Sequence, residues 1–395
     1  MEKKTIMLIS QSLTGGGAEK VVANLSIALS EEYHVVLITF EKNEKEFDFR
    51  GERIDLNIPG GRFSIAKKLH NFIGRCIKIY KLKKLLLPIA SISFVPQTDL
   101  VNIFTRKKGC RCVIEVSSNS SVAFSSKFSK IYRKYMLNAA DRVVCVSEGV
   151  RQDIVSKFGI NNKKTRTIYN SVDLENIKRK MLESCPKCIT THKNIVCIGS
   201  FRYPKGHWHL IKAFSYISDK IPDYTLVLLG DGEYRSQYNR LIDNLKIDHK
   251  RIVMPGFIDN PYPILANSDL FVFSSIYEGF GNVIIEAMAC SVPVLSVDCK
   301  YGPREILYPS INKNQCISSI TKAPFGWLLP AFDDSDISTS VIITENEKLM
   351  GEAILRILFD PNERNRMSDN GLCRCQDFGN EVFKSEWEKC LNEIR

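Results

Sequence analysis

The chain alternates between short apolar runs, of a length suited to buried strands, and longer stretches whose apolar residues recur at helical spacing. Thr5–Ser10, His34–Phe40, Ile89–Val95, Arg111–Val116, Arg142–Ser147 and Thr165–Ile168 read as strands. Between them, Lys20–Leu29, Thr98–Lys108, Ser126–Ala139 and the stretch from Ser147 to Gly159 read as helices, the last closed by its glycine. Residues 173–193 are polar and charged, without an apolar run. The alternation then resumes, with strands at Asn194–Gly199, Tyr224–Leu229, Arg251–Met254, Leu270–Phe273 and Val292–Val297. Helices fall near Lys205–Lys220, Glu233–Leu245, Pro261–Asn267 and Val283–Cys290; a short strand at Phe325–Leu329 and helices at Glu345–Phe359 and Glu381–Ile394 complete the pattern.

Strands alternating with helices predict parallel sheets covered on both faces. At 395 residues the chain exceeds one ordinary core. The expected architecture is therefore α/β, with two doubly wound, Rossmann-like domains facing each other across a cleft. The first covers 1–173, a linker 174–193, and the second 194–379, with a last helix at about 380–395 able to pack back on the first. In such sheets ligands bind beyond the carboxyl ends of the strands, so the turns that follow strands carry the interest.

A hydrophobic content of 44% with 25% charged residues is that of a soluble globular chain. No apolar run reaches the length of a transmembrane helix, and Met1-Glu2-Lys3-Lys4 does not open a signal peptide, so a cytoplasmic protein is expected. The 13 cysteines are scattered, and Cys145, Cys197 and Cys290 fall in apolar runs, where cysteine acts as a small hydrophobe. Cys185-Pro186-Lys187-Cys188 has metal-ligand spacing but no matching second pair, so reduced structural thiols are expected and no metal.

The net charge of +11 favours an anionic partner, and the charge is concentrated. Arg62, Lys67, Lys68, Arg75, Lys78, Lys81, Lys83 and Lys84 lie within 62–87, where there is no acid and where Leu69, Phe72, Ile73, Ile77, Ile79, Tyr80 and Leu82 are interleaved. A basic amphipathic stretch suits an anionic membrane surface or an acidic, lipid-carried substrate, so the seven cations from Lys67 to Lys84 are expected to touch membrane or acceptor. The plain alternative is a solvated basic face. Nucleic acid finds no support from a zinc-finger, helix-turn-helix or RNA-recognition signature.

Three turns carry candidate chemistry. Gly15-Gly16-Gly17-Ala18-Glu19 follows the first strand and precedes a helix, where glycines let the backbone approach a ligand and free N–H groups meet an anion. It has neither the third glycine of a dinucleotide fingerprint nor the Gly-Lys-Ser/Thr of a P-loop. Gly199-Ser200-Phe201-Arg202-Tyr203-Pro204-Lys205-Gly206 follows the first strand of the second half, placing two cations where they can neutralise a pyrophosphate. The segment from Ser274 to Cys290 carries Glu278 on a strand-to-helix turn and Glu286 eight residues on. Gly281, Asn282 and Val283 stand between them, offering N–H groups at a helix N-terminus. Glu286 can accept from both hydroxyls of a ribose. Glu278 can orient sugar hydroxyls or stabilise positive charge at an anomeric carbon.

Together with Gly230-Asp231-Gly232, Pro255-Gly256-Phe257 and Phe325-Gly326-Trp327-Leu328-Leu329-Pro330, these turns resemble the retaining glycosyltransferases of family 4, which have the GT-B fold. Gly302-Pro303-Arg304-Glu305-Ile306-Leu307 resembles the version in bacterial surface-polysaccharide transferases. The resemblance implies a metal-independent hexosyltransferase that takes a hexose or N-acetylhexosamine from a nucleotide diphosphate sugar, often a UDP-sugar. Its acceptor would be a glycan, lipid-linked, at the inner face of the cell membrane, in capsule, O-antigen or lipopolysaccharide synthesis. The matching positions imply Glu278 as the catalytic group, Glu286 on the ribose, and Arg202 with Lys205 on the diphosphate. They also place Gly16, Gly17, Gly281, Asn282 and Val283 on the donor, with backbone near Val253 and Met254 by the base.

Two positions depart from the family pattern. Ser200 stands where many members have an arginine. The strand Arg111–Val116 ends in Glu115-Val116-Ser117-Ser118-Asn119-Ser120, without the histidine, or the acid with an arginine, usual there; Ser117, Ser118 or Asn119 is left to contact sugar. A non-catalytic membrane-associated subunit and another enzyme of the same fold, such as an epimerase or phosphorylase, are the alternatives. The first would bind lipid without transfer, and the second has no added signal for phosphate or a lysine-bound cofactor.

Overall fold

The computed structural model describes residues 3–43, 46–61, 63–118, 120–185, 193–311, 315–332 and 340–393. They form two compact units. One takes the described residues of Met1–Ser171 and Asn380–Arg395, the other Val172–Gly379.

The first unit is built on a sheet of β1 Thr5–Ser10, β2 His34–Thr39, β3 Glu52–Asp55, β4 Ala90–Ser93, β5 Arg111–Val116, β6 Arg142–Cys145 and β7 Thr165–Thr167. Its order is β3-β2-β1-β4-β5-β6-β7 and every neighbouring pair is parallel. Ile6, Met7, Leu8 and Ile9 are buried without remainder because helices cover both faces, which is why β1 reads as a continuous apolar run. Glu52–Asp55 escaped the sequence reading because it is an edge strand with one apolar residue, Ile54. The helix Asn380–Glu393 lays Phe383, Trp387, Cys390 and Leu391 into the same core as Val21, Val22 and Leu25 of the helix Gly17–Leu29. Arg166 also reaches Glu386 at 2.8 Å.

The second unit carries β8 Asn194–Ile198, β9 Thr225–Leu229, β10 Ile252–Gly256, β11 Leu270–Phe273, β12 Val294–Val297, β13 Thr321–Ala323 and β14 Gly326–Leu329. Their order is β10-β9-β8-β11-β12-β14-β13, parallel except for the terminal β13–β14 pair. The stretch read as a linker opens with the helix Leu174–Lys180, capped by Asp173 and burying only Ile177. One inward side chain in seven residues leaves no helical period to detect. Pro361–Cys375 is likewise a helix with sparse apolar positions, Met367 among them, started by Asp360.

Both sheets reverse their strand order between two parallel neighbours, β1 and β4 in the first unit and β8 and β11 in the second. Loops diverge to opposite faces at such a reversal and leave a crevice at the carboxyl edge. No helix among the described residues is long and apolar enough to cross a membrane.

Candidate active site

In the second unit, the reversal joins two of the three turns. The turn after β8 runs through Arg202 and a single 3₁₀ turn, Tyr203–Lys205, to Gly206, where the helix His207–Ile217 begins. The turn after β11 lies against it: Ser274 Oγ donates to the Lys205 carbonyl at 2.9 Å, and the Ile276 N–H to the Pro204 carbonyl at 2.8 Å. Gly206 has φ +58°, and a Cβ there would stand 2.3 Å from the Ser274 carbonyl oxygen. Only glycine fits this crossing.

The Lys205 ammonium donates to Glu278 Oε1, which also accepts from Ser275 Oγ at 2.9 Å. Burial lowers the Lys205 pKa, but the Glu278 charge beside it more than compensates and holds it above the ordinary lysine value. The Glu278 backbone is fixed on both sides, its N–H donating to the Lys300 carbonyl at 2.7 Å and its carbonyl accepting from Tyr301 N–H at 2.8 Å. Two residues 73 apart in sequence thus form one charged pair at the crevice.

Gly281, with φ +100°, caps the helix Asn282–Ala289, so Asn282 and Val283 form its first turn. Glu286 is buried one turn in. Arg202 is exposed and outside the Lys205–Glu278 contact. Val253 and Met254 lie on β10, and the Met254 carbonyl accepts from both Nη atoms of Arg235 at 3.2 Å. Arg235 is held by Asp231 at 2.8 Å and lies over the Phe201 ring. It was not singled out from sequence, although Asp231 stands four residues before it, at the spacing that pairs charges on a helix.

His207 was missed as well. It is fully buried behind Lys205, edge-on to Phe201, and neither ring nitrogen has a hydrogen-bond partner among the described residues. Burial, with the Lys205 charge, pushes its pKa down to about 3, so the ring is neutral.

In the first unit, Gly16 caps the helix Gly17–Leu29. A Cβ on Gly16 would stand 2.5 Å from Glu19 Oε2, so the chain's own carboxylate covers this helix end. Burial raises the Glu19 pKa. At the end of β5, Glu115 is buried, and burial with the neighbouring Asp99 charge pushes its carboxyl well above the usual range. Ser117 is half-buried and Ser118 exposed; Asn119 lies outside the described residues, as do Arg62 and Cys188. Among the described residues no three His, Cys, Asp or Glu side chains gather as metal ligands.

The reversal in the first unit opens differently. A pocket of about 610 Å³ is lined by Gln11 after β1, by Pro96 and Gln97 after β4, and by Gly60, Phe63, Lys68, Asn71, Phe72, Arg75 and Tyr132. The basic stretch forms one of its walls as the helix Ile65–Leu86. Two of its seven cations are buried, which corrects the sequence reading for Lys83 and leaves Arg75 a place only in the pocket wall. Lys83 is fully buried and donates to Asn102 Oδ1 at 2.8 Å; Arg75 is buried, donates to the Ile58 carbonyl at 2.8 and 3.1 Å, and stacks on Phe40. Both lie where this helix meets the protein, and a lysine or arginine stem packs as an apolar chain. Lys78 is exposed but tied to the Leu56 carbonyl at 2.8 Å. Lys67, Lys68, Lys81 and Lys84 are exposed.

These arrangements coincide with two family descriptions, Glycosyltransferase Family 4 over residues 15–176 and Glycosyl transferases group 1 over residues 187–319. An uncharacterized glycosyltransferase of Methanocaldococcus jannaschii is 30% identical over 76% of this chain and 76% of its own length. The chain is a family 4 glycosyltransferase. The N-acetylgalactosamine-N,N'-diacetylbacillosaminyl-diphospho-undecaprenol 4-alpha-N-acetylgalactosaminyltransferase of Campylobacter jejuni is 32% identical over 78% of this chain and 83% of its own. The fold of this family 4 member matches Anabaena HepE in complex with UDP and glucose, with a TM-score of 0.74 and 16% identity over 99% of this chain and 100% of that one. That likeness establishes the GT-B fold. The Lys205–Glu278 pair and Glu286 fall within the group 1 match, and Gly16, Gly17 and the pocket lining other than Gln11 within the family 4 match.

Proposed function

We propose that this glycosyltransferase moves a hexose or an N-acetylhexosamine from a UDP-sugar to a lipid-linked glycan acceptor, in the synthesis of a bacterial surface polysaccharide. The observation that carries this reading is the Lys205–Glu278 pair at the β8/β11 reversal, beside the N-terminus of the helix Asn282–Ala289. HepE, of the same fold, binds UDP and glucose, and the Campylobacter relative is named for an acceptor on diphospho-undecaprenol. A lipid-borne acceptor makes the chain peripheral at the inner face of the cell membrane.

The paired charges define what the donor meets. Without it, Glu278 neutralises Lys205. A diphosphate displaces that carboxylate and takes the ammonium, with Arg202 as the second cation and the first turn of the helix Asn282–Ala289 as further donors. Glu278, released, orients sugar hydroxyls and stabilises positive charge at the anomeric carbon as the bond to phosphate breaks. Glu286 holds the ribose. Once the carboxylate has been displaced, the cations and oriented N–H groups stabilise the leaving diphosphate, so a divalent ion is not required. The acceptor hydroxyl attacks the anomeric carbon from the face the phosphate leaves, which gives retention, and its proton goes to a donor phosphate oxygen. The unit 1 pocket, with its amide and aromatic lining, receives the acceptor's sugar.

Lys205→Ala and Glu286→Ala should each lower transfer at least about tenfold, since each removes a charge-assisted contact worth roughly 1.5–3 kcal/mol. Steady-state turnover with a panel of UDP-sugars measures it, and near-normal rates in both variants would remove the assignment. Product NMR reads retention directly, with an inverted anomeric signal against it. EDTA should leave the rate unchanged; a loss restored by Mg²⁺ would refute metal independence.

A further inference from the structure

The helix Ile65–Leu86 packs Phe72, Cys76, Leu82 and Leu86 against the core and yet carries apolar side chains on its outer side as well. Its buried stripe is Asn71, Arg75, Ile79 and Lys83, while Ile65, Leu69, Ile73, Ile77 and Leu85 are exposed on the outer side. Ile65 is 86% exposed. The helix Lys127–Ala139 is also apolar on both sides: Met136 and Leu137 are buried together with Arg133, which pairs with Asp99 at 2.7 Å, while Phe128, Ile131 and Tyr135 are exposed, Phe128 to 84%. Most of the exposed large apolar side chains among the described residues fall between Phe63 and Tyr135. Scattered exposed leucines are ordinary, whereas apolar side chains repeated along two helix faces mark a surface with a partner.

Two observations select that partner. Neither helix contains an acid, and both expose lysines: Lys67, Lys68, Lys81 and Lys84 on the first, and Lys127, Lys130 and Lys134 on the second. Two copies meeting through this face would bring like charges together, while an anionic lipid surface complements it. The second observation is that Phe63 and Tyr132 are both exposed and part of the pocket lining. The pocket at the β1/β4 reversal therefore opens on the apolar, basic face.

We propose that the helices Ile65–Leu86 and Lys127–Ala139 dock this unit on an anionic bilayer, their apolar side chains entering the interface and their lysines meeting lipid headgroups. The inference deepens the reading of a lipid-linked acceptor, on which it rests: the pocket mouth lies where a lipid-borne glycan arrives. The contact is apolar as well as electrostatic, and it uses a second helix that the sequence reading did not mark as a contact.

The test is co-sedimentation of the full chain with phosphatidylcholine vesicles with and without phosphatidylglycerol, using Ile73→Asp/Ile77→Asp and Phe128→Asp/Tyr135→Asp. Wild type should pellet with the anionic vesicles, and each double variant should bind at least roughly tenfold more weakly. Replacing Lys67, Lys68, Lys81 and Lys84 by Ala should reduce the preference for anionic vesicles. UDP binding, measured in the same variants without lipid, should be unchanged, so failure of the donor assignment and failure of the docking face give separate results. Wild type left in the supernatant with both vesicles, or double variants that pellet like wild type, would overturn the proposal. So would a wild-type dimer that the aspartates convert to a monomer, because a second copy would then cover the face.

Discussion

Between β8 and β11 the second unit sets the Lys205 ammonium against the Glu278 carboxylate, whereas between β1 and β4 the first unit leaves a pocket of about 610 Å³ lined by amides and aromatics. The charged groups of that pocket are Lys68 and Arg75, with no acid among its described lining residues. The two sheets reverse their order at the same place, yet the reversals are furnished for different chemistry. Fixed opposite charges suit a ligand that brings its own charge and displaces one of them. Aromatic faces and amides suit the faces and hydroxyls of a sugar. A shared topology decides where a ligand sits in each unit, and the side chains at the turns decide which ligand.

The sharpest way to break the comparison uses the glycine turns. Gly206→Val should destabilise the second unit by about 3 kcal/mol or more, because strain at positive φ adds to a clash with the Ser274 carbonyl. Gly15, with φ +93°, has no atom within 4 Å of a Cβ, so Gly15→Ala should cost only about 1 kcal/mol of strain. Chemical denaturation of both variants checks this, and equal losses would show that the crossing of the β8 and β11 turns is not tight.

The lysines of the basic helix come next. Lys83→Ala removes a buried stem and its bond to Asn102, at a cost of about 2–4 kcal/mol, while Lys81→Ala on the exposed side should stay within about 0.5 kcal/mol. Thermal melts separate them, and a silent Lys83→Ala would undo its structural role.

The smallest effect is a pH dependence in the second unit. The folded pKa of His207, about 3, lies below the ordinary value of 6.5, so between these the unfolded chain binds a proton that the folded chain refuses. Stability is therefore full above the unfolded value and is lost as pH falls, by about 1.4 kcal/mol from about pH 7.5 to about pH 5.5. His207→Phe should flatten that slope by the same amount in melts across the range; an unchanged slope would show that His207 is not the group responsible.

Much of this was legible beforehand, for reasons that can be named. Strands buried on both faces, such as β1 and β11, announce themselves as apolar runs. Glu52–Asp55 and Thr321–Ala323 did not, because each lies at a sheet edge and half its surroundings are water. The helix Leu174–Lys180 was hidden in a charged stretch because it buries a single residue. At the site, Lys205, Glu278 and Glu286 were readable from turn position and charge. Arg235 and His207 were not, since one acts through a carbonyl on a neighbouring strand and the other lies behind the turn.

By itself, the sequence determined the two series of strands and helices, the glycine turns that follow β1 and β8, and the charged residues placed on them, because these depend on local spacing and on where strands end. Tertiary structure decided which charges meet. Lys205 and Glu278 are paired because sheet order sets β8 beside β11, which no local pattern encodes. It also decided which face of the basic helix is inward. Composition alone points the cations at the partner, but the packing of the first unit takes Arg75 and Lys83 inside and turns isoleucines outward. Burial depends on what an element packs against, and that partner is chosen only when the whole unit closes.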